Sequence, residues 1–361
     1  MTNNLEKRTG FRHYIGKNKK KLILLLLAID IALVLGLIKG GQYYYYYLHP
    51  QFHPSLTVYF YIDRDDNIDS VYNKVSTEGT STGMKGFRRL AEKYRYAENI
   101  RCGRYAIQPN DNARTLFFRL SRGYQTPKNL IIGSVRTREA LARNLGKQIL
   151  VDSAEIAERL YDTTLCAKLG FNEETQMCLF IPNTYQVYWT VSPDELLERM
   201  KKEYDRFWDE ERLAKAKDIG LTAEEISILA SVVEEETNNN DERPVVAGLY
   251  INRLKKGMLL QADPTVKFAL QDFELRRITN RHLATDSPYN TYKHTGLPPG
   301  PIRNPSIKSI DSVLNYAKHN YIYMCAKEDF SGTHNFATNL AGHNTNARKY
   351  QQALNKRKIY R

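Results

Sequence analysis

The sequence predicts an α+β protein in which one N-terminal transmembrane helix carries mixed helix and strand material. Three observations predict it. A 17-residue apolar run lies near the start, strand patterns occur at 55–62, 129–132 and 180–188, and helix-period segments fill most of the intervals. The chain has 361 residues, room for more than one domain with its own core. With 42% hydrophobic and 26% charged residues, it is neither disordered nor collagen-like. Its formal charge is +13, of which residues 1–21 contribute +6. The +7 that remains suits an anionic polymer or membrane surface, and no nucleic-acid recognition motif accompanies it.

From Leu22 to Ile38 the only charge is Asp30; Lys17 to Lys21 precede the run and Tyr43 to Tyr47 follow it. Basic residues on the cytoplasmic flank and aromatic residues at the far interface are what a bilayer selects. No small-residue cleavage site follows, so the run reads as an uncleaved anchor with its N-terminus in the cytoplasm. Asp30 is costly in lipid and points to an intramembrane contact or a water defect. The rest of the chain is then expected in an extracytoplasmic, oxidising space. There Cys166 and Cys178 either pair or remain buried thiols, a choice that spacing leaves open, as it does for Cys102 and Cys325. No cysteine or histidine cluster has metal-ligand spacing, and no cofactor is expected.

After His49-Pro-Gln-Phe-His-Pro54, alternation over Ser55–Ile62 marks a strand. Helix-period stretches follow at Asp69–Val75 and Gly86–Tyr94, then the short segment Gly103–Ile107, giving a small β-α-α-β unit. Arg114–Gly123 reads as a helix ended by glycine. Strand signals resume at Asn129–Ile132, and Thr137–Tyr161 reads as two helices, the second starting at Asp152-Ser153. Phe180–Tyr188 is extended, since Pro182 is excluded from a helix interior. Ser192-Pro-Asp-Glu195 opens what reads as one long helix to about Lys217.

Thr222-Ala-Glu-Glu225 is a capping box that starts the next helix. Ile226, Leu229, Ala230 and Val233 share one apolar face, Glu235 projects nearly opposite it, and Glu234 and Glu236 flank it at the border of core and surface. Partial desolvation there raises a carboxyl pKa towards what a general acid needs, although an acidic helix end is ordinarily just solvated. Helix phase alone leaves Glu234 and Glu236 level. Ala247, Tyr250, Ile251 and Leu254 mark a further helix face stopped at Gly257. Next come polar segments read as loops: Leu260-Gln-Ala-Asp-Pro-Thr265, Tyr289-Asn-Thr-Tyr292, Gly296-Leu-Pro-Pro-Gly-Pro-Ile302 and His334–Asn344. Their amides, hydroxyls and tyrosine rings suit sugar hydroxyls and sugar faces.

In this order the segments resemble the endolytic murein transglycosylase (YceG-like) family. The resemblance covers roughly Leu229 to Asn344, through Leu-Ala-Ser-Val-Val-Glu-Glu-Glu-Thr, Tyr-Ile-Asn-Arg-Leu, Leu-Gln-Ala-Asp-Pro-Thr-Val, Tyr-Asn-Thr-Tyr, Gly-Leu-Pro-Pro-Gly-Pro-Ile and His-x-Phe-x-Thr-Asn-Leu-Ala-x-His-Asn. Each block is weak alone, and their joint order is specific. The family's catalytic glutamate is the second acid of Val-Glu-x-Glu, which falls on Glu236, with Glu235 as an added charge at x.

The resemblance implies a lytic transglycosylase that cuts between N-acetylmuramic acid and N-acetylglucosamine and leaves 1,6-anhydro ends. It implies Glu236 as acid then base, with Glu234, Asn252 and Asp263 as possible supports. Gln261, Thr265, Tyr289, Asn290, Tyr292 and Asn339 are expected at the substrate. The implied organisation is a cytoplasmic basic tail (1–21), an anchor (22–38), a linker (39–54), a LysM-like module (55–130) and a catalytic domain (131–361), whose connecting part is 131–217 and whose core is 218–344. Peptidoglycan glycan strands, the inner membrane and penicillin-binding proteins of wall elongation are the implied partners. Two other readings stand beside it: a hydrolytic muramidase using Asp263 as second carboxylate, and a non-catalytic peptidoglycan-binding scaffold.

Overall fold

The computed structural model describes residues 3–275 and 277–357, with side chains from residue 19 onward. Lys7, Arg8, Arg12 and Lys17 of the basic block therefore have side chains outside the described residues, as does the end of the chain at 358–361. The chain divides into two compact units, Met1–Pro127 and Lys128–Arg361.

The first unit begins with α1 (Asn3–Tyr43), continued by a π-helical turn at Tyr44–Leu48. Among the described residues one stretch, residues 19–48, is long and apolar enough to cross a membrane, and no residue of its most apolar part is buried by protein. This makes α1 a candidate anchor. There follow β1 (Val58–Ile62), α2 (Ile68–Glu78), α3 (Lys85–Lys93), β2 (Gly103–Ile107) and α4 (Ala113–Ser121). The expected β-α-α-β order is present, and β1 pairs with β2 antiparallel, Phe60 opposite Tyr105. Alternation along β1 buries Phe60 and Ile62 against Phe87, Phe117 and Val71, leaving Tyr59 and Tyr61 outside. Asn67 and Asn112 cap α2 and α4, accepting backbone N–H groups of the first turn. A Cβ on Gly86 would fall 1.7 Å from the Tyr46 carbonyl oxygen, so glycine is what lets α3 approach the tyrosine turn.

The second unit runs β3 (Lys128–Ile132), α5 (Arg138–Gly146), α6 (Ser153–Leu160), α7 (Thr163–Lys168), β4 (Asn183–Val187), α8 (Pro193–Phe207), α9 (Glu210–Ile219), α10 (Ala223–Glu236), α11 (Arg243–Lys255), α12 (Asp263–Leu270), α13 (Asn280–Leu283), α14 (Ile307–Leu314), β5 (Tyr323–Ala326), β6 (His334–Ala337) and α15 (Leu340–Lys356). β3 pairs with β4 and β5 with β6, both antiparallel. α10 is the central helix, buried continuously from Ile226 to Glu234 among α11, α12 and α14.

Three expectations need correction. The single helix over Ser192–Lys217 is two, because the chain leaves helical geometry at Trp208 and Asp209 caps α9 by accepting the Arg212 N–H. Asp263–Thr265, read as loop, is the first turn of α12, with Pro264 where its missing N–H costs nothing. His334–Asn344, also read as loop, is β6 followed by the start of α15. The ladder to β5 is a tertiary pairing that local composition does not display, and Asn339 is the N-cap of α15. Cys166 and Cys178 are buried free thiols.

Residues 296–306 form a strap across the C-terminal end of α10. The Ile302 N–H donates to Ser231 Oγ at 3.0 Å, and the Ser306 N–H to Glu234 Oε2 at 2.7 Å. Asn304, fully buried, ties the strap to the segment after β3 through the Val135 N–H and the Gly133 carbonyl, and to the approach to β4 through the Phe180 carbonyl.

Candidate active site

The Thr222 capping box starts α10 as expected: the Thr222 N–H donates to Glu225 Oε2 at 2.8 Å and the Glu225 N–H to Thr222 Oγ1 at 3.2 Å. Fourteen residues later the helix ends on three glutamates. A helix C-terminus carries partial negative charge, so each carboxylate there needs compensation. The three receive it differently.

Glu234 is buried and accepts the Ser306 N–H, with the Arg303 Nε 3.5 Å away. Burial pushes its carboxyl up, but the Ser306 N–H, the Ser309 hydroxyl and the Arg303 charge outweigh burial and hold it below the ordinary value. Glu235 is clamped by Arg136 at 2.7 and 2.8 Å and by Arg303 Nη1 at 2.9 Å. Among the described residues no cation is hydrogen-bonded to Glu236. It accepts the Tyr250 hydroxyl of α11 at 2.6 Å. Its carboxyl is pushed up to about 7, chiefly by burial; the Tyr250 hydrogen bond and Arg253 oppose this, while Asp263 and Glu235 add to it. Of Glu234 and Glu236, it is Glu236 that is poised to hold a proton near neutral pH.

Glu236 lines a cavity of about 200 Å³ together with Tyr250, Arg253, Gln261, Asp263, Tyr292, residues Met324–Ala326 of β5 and His334 of β6. The lining is mostly polar. Asp263 accepts the Tyr292 hydroxyl at 2.6 Å, and Gln261 accepts from Arg253 Nη1 at 3.2 Å. Gln261 sits at φ 51°, a left-handed conformation that puts a locally strained residue at the cavity rim. A larger cavity, about 700 Å³, lies at the other end of α10 beside Phe171, Tyr204 and Trp208. Its carboxylate Glu224 accepts the Tyr204 hydroxyl. The polar constellation with the raised carboxyl belongs to the smaller cavity, and the site is placed there.

The structure brings Glu236, Gln261, Asp263 and Tyr292 to that cavity and leaves the other expected residues elsewhere. Asn252 donates to the His319 and Tyr321 carbonyls and holds that loop. Thr265 is fully buried, bonded to the Ala262 carbonyl and to Thr291. The Asn290 amide is fully buried and donates to the Leu283 and Thr285 carbonyls. Tyr289 packs on Phe268, ring centroids 4.8 Å apart, beside a second small cavity with Arg136 and Arg138. Asn339 is exposed and occupied in capping α15. Sequence reasoning missed Tyr250 as a hydroxyl donor, Arg253, Arg303, Arg136 and the His334–Glu242 pair. Tyr250 and Arg253, three apart on α11, face the same side, so their spacing could have found them.

A pH dependence follows. Glu236 is neutral below about 7 and ionises above it, so activity that needs its proton is expected to fall about tenfold per unit on the alkaline side. The same shift acts on stability. A carboxyl raised in the folded state favours folding below its unfolded value of 4.5 and loses that contribution as pH rises to about 7. Glu236→Gln is therefore expected to match the wild type in denaturant titrations near pH 4.5. By pH 8 it should be the more stable by roughly 3 kcal/mol. Equal stabilities at both pH values would refute the raised carboxyl.

The chain matches the model of the YceG-like family over residues 60–349. It is 39% identical over 137 residues to an endolytic murein transglycosylase of Bacillus subtilis, covering 38% of this chain and 37% of that one. To a Streptococcus pneumoniae protein of the same name it is 26% identical over 289 residues, covering 72% of this chain and 52% of that one. The chain thus spans about half or less of the length of these relatives. A crystal structure of a YceG-like protein from Listeria monocytogenes superposes with a TM-score of 0.53 at 25% identity, over 81% of this chain and 99% of that one.

Proposed function

Because the chain belongs to the YceG-like family, we propose that it is an endolytic peptidoglycan lytic transglycosylase held at the cytoplasmic membrane. The feature that carries this reading is one carboxyl, Glu236, which lines a polar cavity with Tyr250, Asp263 and Tyr292 and is pushed up to about 7, chiefly by burial. In the proposed reaction Glu236 donates its proton to the glycosidic oxygen between N-acetylmuramic acid and N-acetylglucosamine. The resulting carboxylate takes the proton of the muramic acid C6 hydroxyl as that oxygen bonds to C1. The C1–O bond to the leaving sugar breaks, a 1,6-anhydro ring forms, and no water is consumed. One group serves both proton transfers because the nucleophile belongs to the substrate and is held in place.

Around this centre Gln261, Asp263 and Tyr292 bind or orient the glycan, and Arg253 places positive charge beside it. Residues 131–361 form the catalytic domain on this reading, with 218–344 as its core, and 55–130 form a LysM-like peptidoglycan-binding module. α1 spans the membrane with its N-terminus in the cytoplasm, so the catalytic domain faces the wall, where proteins of wall elongation are its expected partners. The Lys19–Lys21 charges ahead of the apolar run and the tyrosines after it support that orientation.

Asp263, in the same cavity, is the observation that supports a hydrolytic alternative. Product analysis in oxygen-18 water separates the two. Anhydro-muramic acid ends without label are expected, whereas labelled reducing ends would overturn the lyase.

A further inference from the structure

We propose that His334, held by Glu242, is a second substrate-contacting group of the Glu236 cavity, its Nε2 accepting a hydrogen bond from a sugar hydroxyl; this rests on the glycan-strand reading above. Glu242 stands immediately before α11 and is buried. Its Oε1 accepts the backbone N–H of His334 at 2.6 Å, and its Oε2 lies 3.0 Å from His334 Nδ1. A carboxylate accepts and does not donate, so a proton sits on Nδ1, and in the neutral form of the ring Nε2 is the acceptor that faces the cavity. No protein group among the described residues is bonded to Nε2, and the ring lines the cavity it shares with Glu236.

A histidine used only for structure looks different in this same chain. His319 Nε2 bonds the Val245 carbonyl and its Nδ1 accepts the Tyr321 N–H, so both ring nitrogens are consumed by backbone. At His334 a buried acid fixes one nitrogen and leaves the other to the cavity. That is how an imidazole is oriented for work on a ligand. The two groups arrive on different elements, Glu236 at the end of α10 and His334 on β6. A cavity of about 200 Å³ has room for about one sugar ring, so a ring filling it contacts both. A hydrogen bond accepted by Nε2 orients that hydroxyl and leaves its proton on oxygen; the proton transfers of the reaction stay with Glu236.

The test is steady-state cleavage of glycan strands by the full chain in detergent, comparing wild type, His334→Ala, His334→Gln and Glu242→Gln, with a thermal melt for each. In parallel, glycan affinity is measured for Glu236→Gln with and without His334→Ala. His334→Ala is expected to lower kcat/KM by about 10- to 100-fold. His334→Gln, whose amide oxygen presents an acceptor at similar reach, is expected to recover part of it. Glu242→Gln, with one acceptor fewer to fix the tautomer, is expected to fall between wild type and His334→Ala. The added His334→Ala change is expected to weaken glycan binding by about tenfold. If kcat and KM of His334→Ala stay within about twofold of wild type, the proposal is wrong. It is equally wrong if both His334 variants lose activity only in step with their melting temperature while affinity holds. A wild type that makes no anhydro ends overturns the glycan reading itself, and this proposal with it.

Discussion

Replacing Glu236 by glutamine is expected to lower the rate of glycan cleavage by about 10³-fold while leaving the fold and substrate affinity nearly intact. Glutamine has the shape of the protonated acid, and its carbonyl oxygen can still accept the Tyr250 hydroxyl that now donates at 2.6 Å. What disappears is a transferable proton. The matched control is Glu234→Gln, because the two residues are level by helix phase and opposite in environment. Glu234 accepts the Ser306 N–H and faces Arg303, so its substitution should disturb the strap while sparing the proton. A rate assay with melting curves reads both. Loss of activity in Glu234→Gln at unchanged stability, with Glu236→Gln active, would overturn the assignment.

Replacing Arg303 by methionine is expected to destabilise the protein by about 3 kcal/mol in denaturant titrations. Arg303 places Nη1 2.9 Å from Glu235 and Nε 3.5 Å from Glu234, and Nε also donates to Ser134 Oγ at 2.7 Å. Glu234 and Glu235 keep only 9% and 13% of their side-chain surface, so the lost cation leaves two poorly hydrated charges with fewer partners. Arg136 still holds Glu235, which keeps the loss from being larger. The substitution also unmasks negative charge near Glu236. That charge opposes its ionisation, so the alkaline fall in activity should move to higher pH. A variant within 0.5 kcal/mol of wild type, with an unmoved profile, would mean that the guanidinium does not compensate the two acids.

Much of the scaffold was legible because its determinants are local. The capping boxes at Ser192 and Thr222, the N-caps at Thr137 and Asp152, and the alternation in β1 all occur where short-range pattern puts them. The break at Trp208 was written locally as well, in Asp209 followed by Glu210 and Glu211, a capping residue with an acidic first turn. The β5–β6 hairpin was not legible, since its four-residue strands owe their form to pairing with each other and to the buried Glu242 92 residues earlier.

The candidate site divides in the same way. Four of the expected residues, Glu236, Gln261, Asp263 and Tyr292, share one cavity. Asn290 and Thr265 are polar residues of the same segments whose groups are consumed in holding the loops. Composition cannot distinguish an amide that binds a ligand from one that staples a turn, because both uses select the same chemistry.

By itself the sequence determined the apolar N-terminal run, the order of helices and strands and the helix that ends in three glutamates, together with the family likeness carried by its ordered motifs. Each is written in neighbours a few residues apart. Only the tertiary structure separated Glu234 from Glu236 in proton affinity. Arg136 and Arg303, 99 and 68 residues from Glu235, neutralise that neighbour, the Ser306 N–H and Arg303 hold Glu234 ionised, and Tyr250 with the cavity wall withdraws Glu236 from water. A carboxyl's proton affinity follows solvation and nearby charge, and folding sets both from residues far away along the chain.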